Sequence, residues 1–148
     1  GFYADYHQFH KGVVFEDNVI ENNSGQGVYF TRIYGNATFQ NNVIKNNHYS
    51  GIYVGKNEND NSTEIVIKNN VVSGNKRNNE TREENGITLY YKSSATAKIT
   101  GNTVEDGGGY GIRLGGGYDL ELFCTCPPPC VSSPQISKPG LSKQLLRI

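Results

Sequence analysis

The chain has 148 residues, enough for one domain, but only 35% of them are hydrophobic and the mean hydropathy is −0.58, which excludes a compact globule of two thick packed layers. Fourteen basic and fourteen acidic residues are mixed along its length. That balance excludes the basic stripe of a nucleic-acid binder and favours neutral or mixed-charge partners, while the absence of any apolar run near the roughly 20 residues needed to cross a bilayer argues against a membrane partner.

From its first residue the chain reads as short strands, because apolar side chains recur at period two and not at the helical 3.6. Gly1-Phe2-Tyr3-Ala4-Asp5 is followed by VVFEDNVIENN, ending at Asn23. Gly27-Val28-Tyr29-Phe30-Thr31 restarts the phrase before ATFQNNVIKNN, ending at Asn47. Gly51-Ile52-Tyr53-Val54-Gly55 precedes IVIKNNVVSGN, ending at Asn75, and Gly86-Ile87-Thr88-Leu89-Tyr90 precedes AKITGNTVEDG, ending at Gly107. Gly111-Ile112-Arg113-Leu114-Gly115 opens a fifth unit. Turns therefore start near residues 1, 27, 51, 86 and 111, and each holds three strands in about two dozen residues, the signature of a solenoid.

Stacking these units predicts the core column by column. The Gly-led strand sends inward Phe2, Val28, Ile52, Ile87 and Ile112, then Ala4, Phe30, Val54, Leu89 and Leu114. The second strand supplies Phe15, Phe39, Ile67 and Ile99, and the third Ile20, Ile44, Val72 and Val104. Between second and third strands runs a column of Asn18, Asn42, Asn70 and Asn102. Asn tolerates the left-handed backbone of a sharp corner, and its amide can donate to and accept from the Asn one coil away, about 4.8 Å along the axis. An asparagine ladder with a structural role is expected. Glu21 shares an outward column with Lys45, which also agrees with stacking.

The 35-residue turn between Gly51 and Gly86 carries two polar extensions, Lys56 to Glu64 and Lys76 to Asn85, which in a solenoid become loops and can wall a groove or remain mere bulges. Glu58, Asp60 and Glu64 make calcium a possible ligand, without the ligand spacing of a known loop type; no other cofactor is expected. Beyond the repeats, assigned to residues 1–118, the composition changes. All three Cys (Cys124, Cys126, Cys130) and all five Pro lie in residues 119–148, read as an irregular foreign or frame-shifted tail, with a natural linker or coil-capping segment as the alternative; Leu120, Leu122 and Phe123 could lay one more strand over the end of the solenoid, and from about Pro127 onward the chain is expected to be irregular and to contribute nothing to function. Cys-x-Cys-x3-Cys is one thiolate short of a structural zinc site, so no metal is assigned to it. The chain has no Met and begins at Gly1, and the expectation is that the start of the gene product, with any export signal, lies upstream.

Phrases such as FEDNVIENNSGQGVYF and FQNNVIKNNHYSGIYV resemble the right-handed parallel β-helix repeat family over roughly Gly1 to Gly117. The resemblance implies an all-β, right-handed single-stranded parallel β-helix of about five turns. It is shared by pectate lyases, polygalacturonases, mannuronan epimerases, phage tailspikes and adhesins, so it implies a secreted, periplasmic or cell-surface chain that handles polysaccharide, and leaves the reaction open. Gly1-Phe2-Tyr3-Ala4-Asp5 is similar to a Gly-x-Trp-x-Asp strand of glycan-active bacterial β-helix proteins, with Tyr3 for Trp and Asp5 retained. The Gly-Ile-Phe-x-Glu strand one turn later reads Gly27-Val28-Tyr29-Phe30-Thr31 here. Thr31 replaces its acid, and the Asp-Pro-His-Asp signature of the epimerases is absent.

Chemistry is sought on the outward face of the Gly-led strands. Tyr3, Tyr29, Tyr53, Thr88 and Arg113 form one expected exposed column, with Asp5, Thr31, Gly55, Tyr90 and Gly115 beside it. Tyr3, Tyr29, Tyr53, Tyr90 and Arg113 are the candidate substrate-binding residues, since flat amphipathic rings suit sugars; the alternative is an aromatic ladder that stiffens the sheet. Asp5, His7 and Arg32 are the candidate catalytic residues, supplying the base and cation that proton abstraction beside a uronate carboxylate requires. The expected function is polysaccharide binding or processing by a monomer, of lyase, epimerase or glycosidase type. A non-catalytic surface or adhesion solenoid is the alternative.

Overall fold

The computed structural model describes residues 1–4, 12–33, 35–55, 64–76, 86–90, 96–105, 111–115 and 119–122, with side chains up to Leu114. Every strand among them is short, and every pairing is parallel. The first turn contributes β1 (Phe2–Ala4), β2 (Val13–Glu16) and β3 (Val19–Glu21); the second β4 (Val28–Phe30), β5 (Ala37–Gln40) and β6 (Val43–Lys45). The third contributes β7 (Ile52–Val54), β8 (Glu64–Lys68) and β9 (Val71–Ser73), the fourth β10 (Ile87–Tyr90), β11 (Thr96–Thr100) and β12 (Thr103–Glu105). The fifth holds β13 (Ile112–Gly115) and β14 (Asp119–Leu122). Like strands stack into three sheets: β1-β4-β7-β10-β13, β2-β5-β8-β11-β14 and β3-β6-β9-β12.

Register follows the sequence columns. Val28 pairs with Phe2 and Ile52, Phe39 with Phe15 and Ile67, and Ile44 with Ile20 and Val72. These inward residues are sealed in the middle coils, where Val28, Phe30, Phe39, Ile44, Ile52, Ile67, Val72, Ile87 and Leu89 are fully buried. Burying each such side chain stabilises by about 1.5–3 kcal/mol, and it is buried only when coils lie above and below it. In the first coil Phe2 is 38% exposed, although its ring still meets Phe15 and Phe30 at 5.2 and 5.3 Å.

The leading glycines follow from this packing. A Cβ at Gly27, Gly51 or Gly86 would collide with Ile44, Val72 or Val104 respectively, so the first strand of each turn starts where the third strand's inward side chain already fills the space. None of these three needs a positive φ. Left-handed backbone is found at the corners instead.

Those corners correct one expectation. The ladder Asn residues do not themselves take the left-handed conformation; the residue before each does, at Asp17 (φ 56°), Asn41 (φ 55°), Asn69 (φ 55°) and Gly101 (φ 62°). The left-handed residue reverses the chain, which leaves the next one aimed into the coil. The Asn18–Asn42–Asn70–Asn102 ladder forms as expected, with Nδ2 donating to the next Oδ1 at 3.2, 2.9 and 2.8 Å. A second ladder closes the corner after the third strand. There Asn23 donates to Asn47 at 2.8 Å and Asn47 to Asn75 at 2.9 Å, each again following a left-handed residue: Asn22, Asn46 or Gly74.

On the outside, Lys45 reaches Glu21 at 3.0 Å and Lys98 reaches Glu64 at 2.5 Å, each across one coil boundary. β14 pairs along β11, with Ala97 opposite Leu120 and Ile99 opposite Leu122. The further strand that the alternation of Leu120 and Leu122 allowed is thus present, at the start of the segment assigned to the tail, and it continues the period-two register of the second sheet. Residues 123–148, with the three Cys and the expectation of irregular chain from Pro127, lie outside the described residues.

Candidate functional site

The outer face of the first sheet gathers the polar and aromatic side chains that stacking aligns. Tyr3, Tyr29 and Tyr53 are direct register partners, because period-two alternation turns them outward from β1, β4 and β7 while Phe2, Val28 and Ile52 turn inward. Their ring centroids lie 5.2 and 4.8 Å apart, at interplanar angles of 17° and 38°. Tyr90 continues the run at 6.1 Å and 27° from Tyr53. The Arg113 guanidinium lies 5.5 Å from the centre of the Tyr90 ring, within the range of a cation–π contact. All five candidate substrate-binding residues therefore form one uninterrupted column that spans five coils.

Thr88 corrects the sequence reading. It was expected in the exposed column between Tyr53 and Arg113, and its backbone does pair with both, yet it is only 1% exposed. Tyr90 lies two residues on, opposite Gly115, and its ring stands 6.1 Å from that of Tyr53. The Thr88 hydroxyl lies 3.3 Å from that of Ser50, itself 1% exposed. Two hydroxyls in contact satisfy each other in a place where a buried polar group without a partner costs about 1–3 kcal/mol. Pairing Tyr90 with the first column needed a ring leaning across one position, which no period-two pattern displays.

Ring stacking also decides what the column presents. Tyr3 and Tyr29 stack at 17° and Tyr53 and Tyr90 at 27°, while Tyr29 and Tyr53 are tilted at 38°, so the rings of the column cover part of one another's faces. Tyr3, at the start of the column, is 63% exposed, while Tyr29, Tyr53 and Tyr90 are half-buried. No acidic residue occurs among the described residues of the five first-sheet strands, and Arg113 is their one cation.

In sequence, residues 56–63 connect β7 to β8 and residues 77–85 precede β10; both extensions lie outside the described residues.

Among the candidate catalytic residues only Arg32 can be placed. It follows β4 at the corner toward the second sheet and is half-buried. Asp5 and His7 lie outside the described residues, as do Glu58 and Asp60 of the calcium candidate; Glu64 is engaged by Lys98. Among the described residues no three of His, Cys, Asp and Glu are grouped as a metal site.

Comparison with curated proteins matches none of them, and comparison with solved structures matches none either. The model of one protein family, described as the right handed beta helix region, matches residues 1–122, the span over which the three parallel sheets are built. With that match over most of its length and a coil of three parallel strands repeated through it, the chain belongs to the right-handed β-helix family.

Proposed function

We propose that the chain binds polysaccharide along the outer face of its first sheet, on the column Tyr3, Tyr29, Tyr53, Tyr90 and Arg113. The observation that carries this reading is the continuity of the column, in which ring follows ring at 5.2, 4.8 and 6.1 Å and ends on a guanidinium. Aromatic edges and phenolic hydroxyls set side by side meet the two needs of a sugar ring, apolar C–H contact and hydrogen bonding at its rim. The absence of described carboxylates from these strands suits a neutral or acidic glycan better than a basic one. Chemistry of lyase, epimerase or glycosidase type belongs to the same proposal through Asp5, His7 and Arg32, as does an exported, monomeric protein.

Affinity electrophoresis through gels that each contain one plant, algal or bacterial polysaccharide tests the binding. The protein is expected to be retarded by at least one polymer, and the double variant Tyr29→Ala, Tyr53→Ala to migrate as in an empty gel. Equal retardation of both proteins, or none of the wild type in any gel, overturns the proposal. Lyase activity is read separately as ultraviolet absorbance from newly formed unsaturated uronate, expected to vanish in Asp5→Ala.

Two observations favour the rival reading, a non-catalytic surface or adhesion solenoid. The tyrosine faces are turned on one another, as in a stiffening ladder, and Thr31 stands where the related strand carries an acid. That reading predicts an unchanged polysaccharide after long incubation, by both absorbance and chain length.

A further inference from the structure

We propose that Tyr29 and Tyr53 form a covalent modification site, at which one-electron oxidation joins the two phenol rings into dityrosine and so staples the second coil to the third. This goes beyond the glycan-binding reading and does not depend on it.

Three observations support this. The first is composition. The chain holds ten Tyr but no Trp and no Met, so its phenols, with the three Cys of residues 119–148, are the side chains that a one-electron oxidant attacks. The second is the contact. Tyr29 and Tyr53 are register partners whose ring centroids lie 4.8 Å apart, the shortest spacing in the column, at an angle of 38°. Two directly bonded benzene rings have centres only a few tenths of an ångström closer, with a twist of the same order. Tyr3 and Tyr29 lie flatter on one another, at 5.2 Å and 17°, and Tyr53 and Tyr90 are farther apart, at 6.1 Å. Backbone bonds hold the pair on both sides: Val28 N–H donates to Gly51 O at 2.8 Å, and Gly55 N–H to Phe30 O at 2.6 Å. The two rings therefore stay together for as long as their coils are folded, which replaces a chance encounter by a fixed one. The third is access. Tyr3 is 63% exposed and its ring lies 5.2 Å from that of Tyr29, so an oxidant too large to reach the half-buried pair takes an electron from Tyr3, and the Tyr29 ring replaces it. In the coupling, each phenol gives up one electron and its hydroxyl proton to become a phenoxyl radical, with spin on the ring carbons ortho to oxygen. Two such radicals share their odd electrons in one new C–C bond, between an ε carbon of Tyr29 and one of Tyr53. The hydrogen on each bonded carbon then leaves as a proton while its ring oxygen takes one up, which restores both phenols. The pair has lost two electrons and two protons in all, and hydrogen peroxide activated by a peroxidase accepts them to give two molecules of water.

The test is oxidation of the full chain, at low concentration and with its thiols blocked beforehand, by a haem peroxidase and hydrogen peroxide. The expected product runs as a monomer, has lost two hydrogen atoms by intact mass, and shows the blue fluorescence of dityrosine. Trypsin cuts after Lys11, Arg32, Lys45 and Lys56, so it should release residues 12–32 joined to residues 46–56, with fragmentation placing the bond on Tyr53 and not on Tyr49. Tyr29→Phe and Tyr53→Phe keep the packed rings and remove the oxidisable hydroxyl, so each should lower the intramolecular yield about tenfold with an unchanged far-ultraviolet spectrum. Tyr49→Phe should retain the yield, and Tyr3→Phe should slow coupling severalfold while joining the same peptides. The stapled chain should melt several degrees above the untreated one, because the bond restricts the unfolded chain between the two coils. Dityrosine found only in dimers, a different pair of joined peptides, or a full yield in Tyr53→Phe overturns the proposal. So does its absence from the native chain while free tyrosine in the same tube couples. A thermal midpoint that stays put with the bond in place overturns its role as a staple, and an unchanged rate in Tyr3→Phe overturns entry through the end of the column.

Discussion

Single residues carry unequal weight in a solenoid, and the buried asparagines carry the most. The Asn70 side chain is fully buried; its Oδ1 accepts from the Asn42 backbone N–H at 3.0 Å and from Asn42 Nδ2 at 2.9 Å, while its Nδ2 donates to Phe39 O at 2.9 Å and Asn102 Oδ1 at 2.8 Å. Asn70→Ala leaves several of those groups buried without partners, each at about 1–3 kcal/mol, so a loss of roughly 3 kcal/mol or more is expected in urea unfolding. A loss under 1 kcal/mol would mean that water replaces the amide. The neighbouring Asn69 is different. It holds a φ of 55°, where a residue with an ordinary Cβ is strained by about 1–2 kcal/mol. Asn69→Ala should therefore cost about 1 kcal/mol and Asn69→Gly almost nothing, the reverse of their order at a regular strand position. Gly51 is constrained by space instead, since its Cβ would strike Val72. Gly51→Ala is expected to destabilise strongly, and to be partly rescued in the double variant with Val72→Ala.

At the scale of strands and sheets, the first sheet differs from the other two in carrying an aromatic column on its outer side. Tyr53 touches two ring neighbours, at 4.8 and 6.1 Å, and is the register partner of the buried Thr88. Aromatic pairs contribute about 0.5–1.5 kcal/mol beyond their buried area. Tyr53→Ala should accordingly cost about 1–2 kcal/mol and speed hydrogen exchange at the Thr88 amide, whereas Tyr53→Phe should leave both nearly unchanged. If Ala and Phe behave alike, the ring column is not a unit of stability. Third-sheet strands carry no aromatic column: Val19 is 67% and Val71 39% exposed.

For the whole molecule, stability is close to a sum over coils and their contacts, because each coil touches only its neighbours. Protection from hydrogen exchange should be highest at the second to fourth coils, around Phe39 and Ile67, and fall toward both ends. Deleting Pro127 to Ile148 is expected to leave the thermal midpoint and the far-ultraviolet β signal almost unchanged. Deleting from Asp119 should cost several degrees, since it strips β14 from β11. Equal losses in the two truncations would show that residues beyond Pro127 act as a cap.

What the sequence determined by itself is the architecture: period-two alternation defines strands, glycines mark where each turn must pass close to an aliphatic column, and repeated Asn phrases set the register. These signals are local and recur in every coil, so they are legible one at a time. The tertiary structure decided what depends on contacts between coils. It placed the left-handed corners one residue before each ladder Asn, because the reversal must come before the side chain can turn inward. It made Asn23, Asn47 and Asn75 a second ladder, although their phrase-ending positions were already visible in the sequence. It buried Thr88 beside Ser50, and it brought the rings of Tyr53 and Tyr90 together. Periodicity states which way a side chain leaves the backbone; only packing decides what then covers it, and the site on the first sheet is built from that second kind of information.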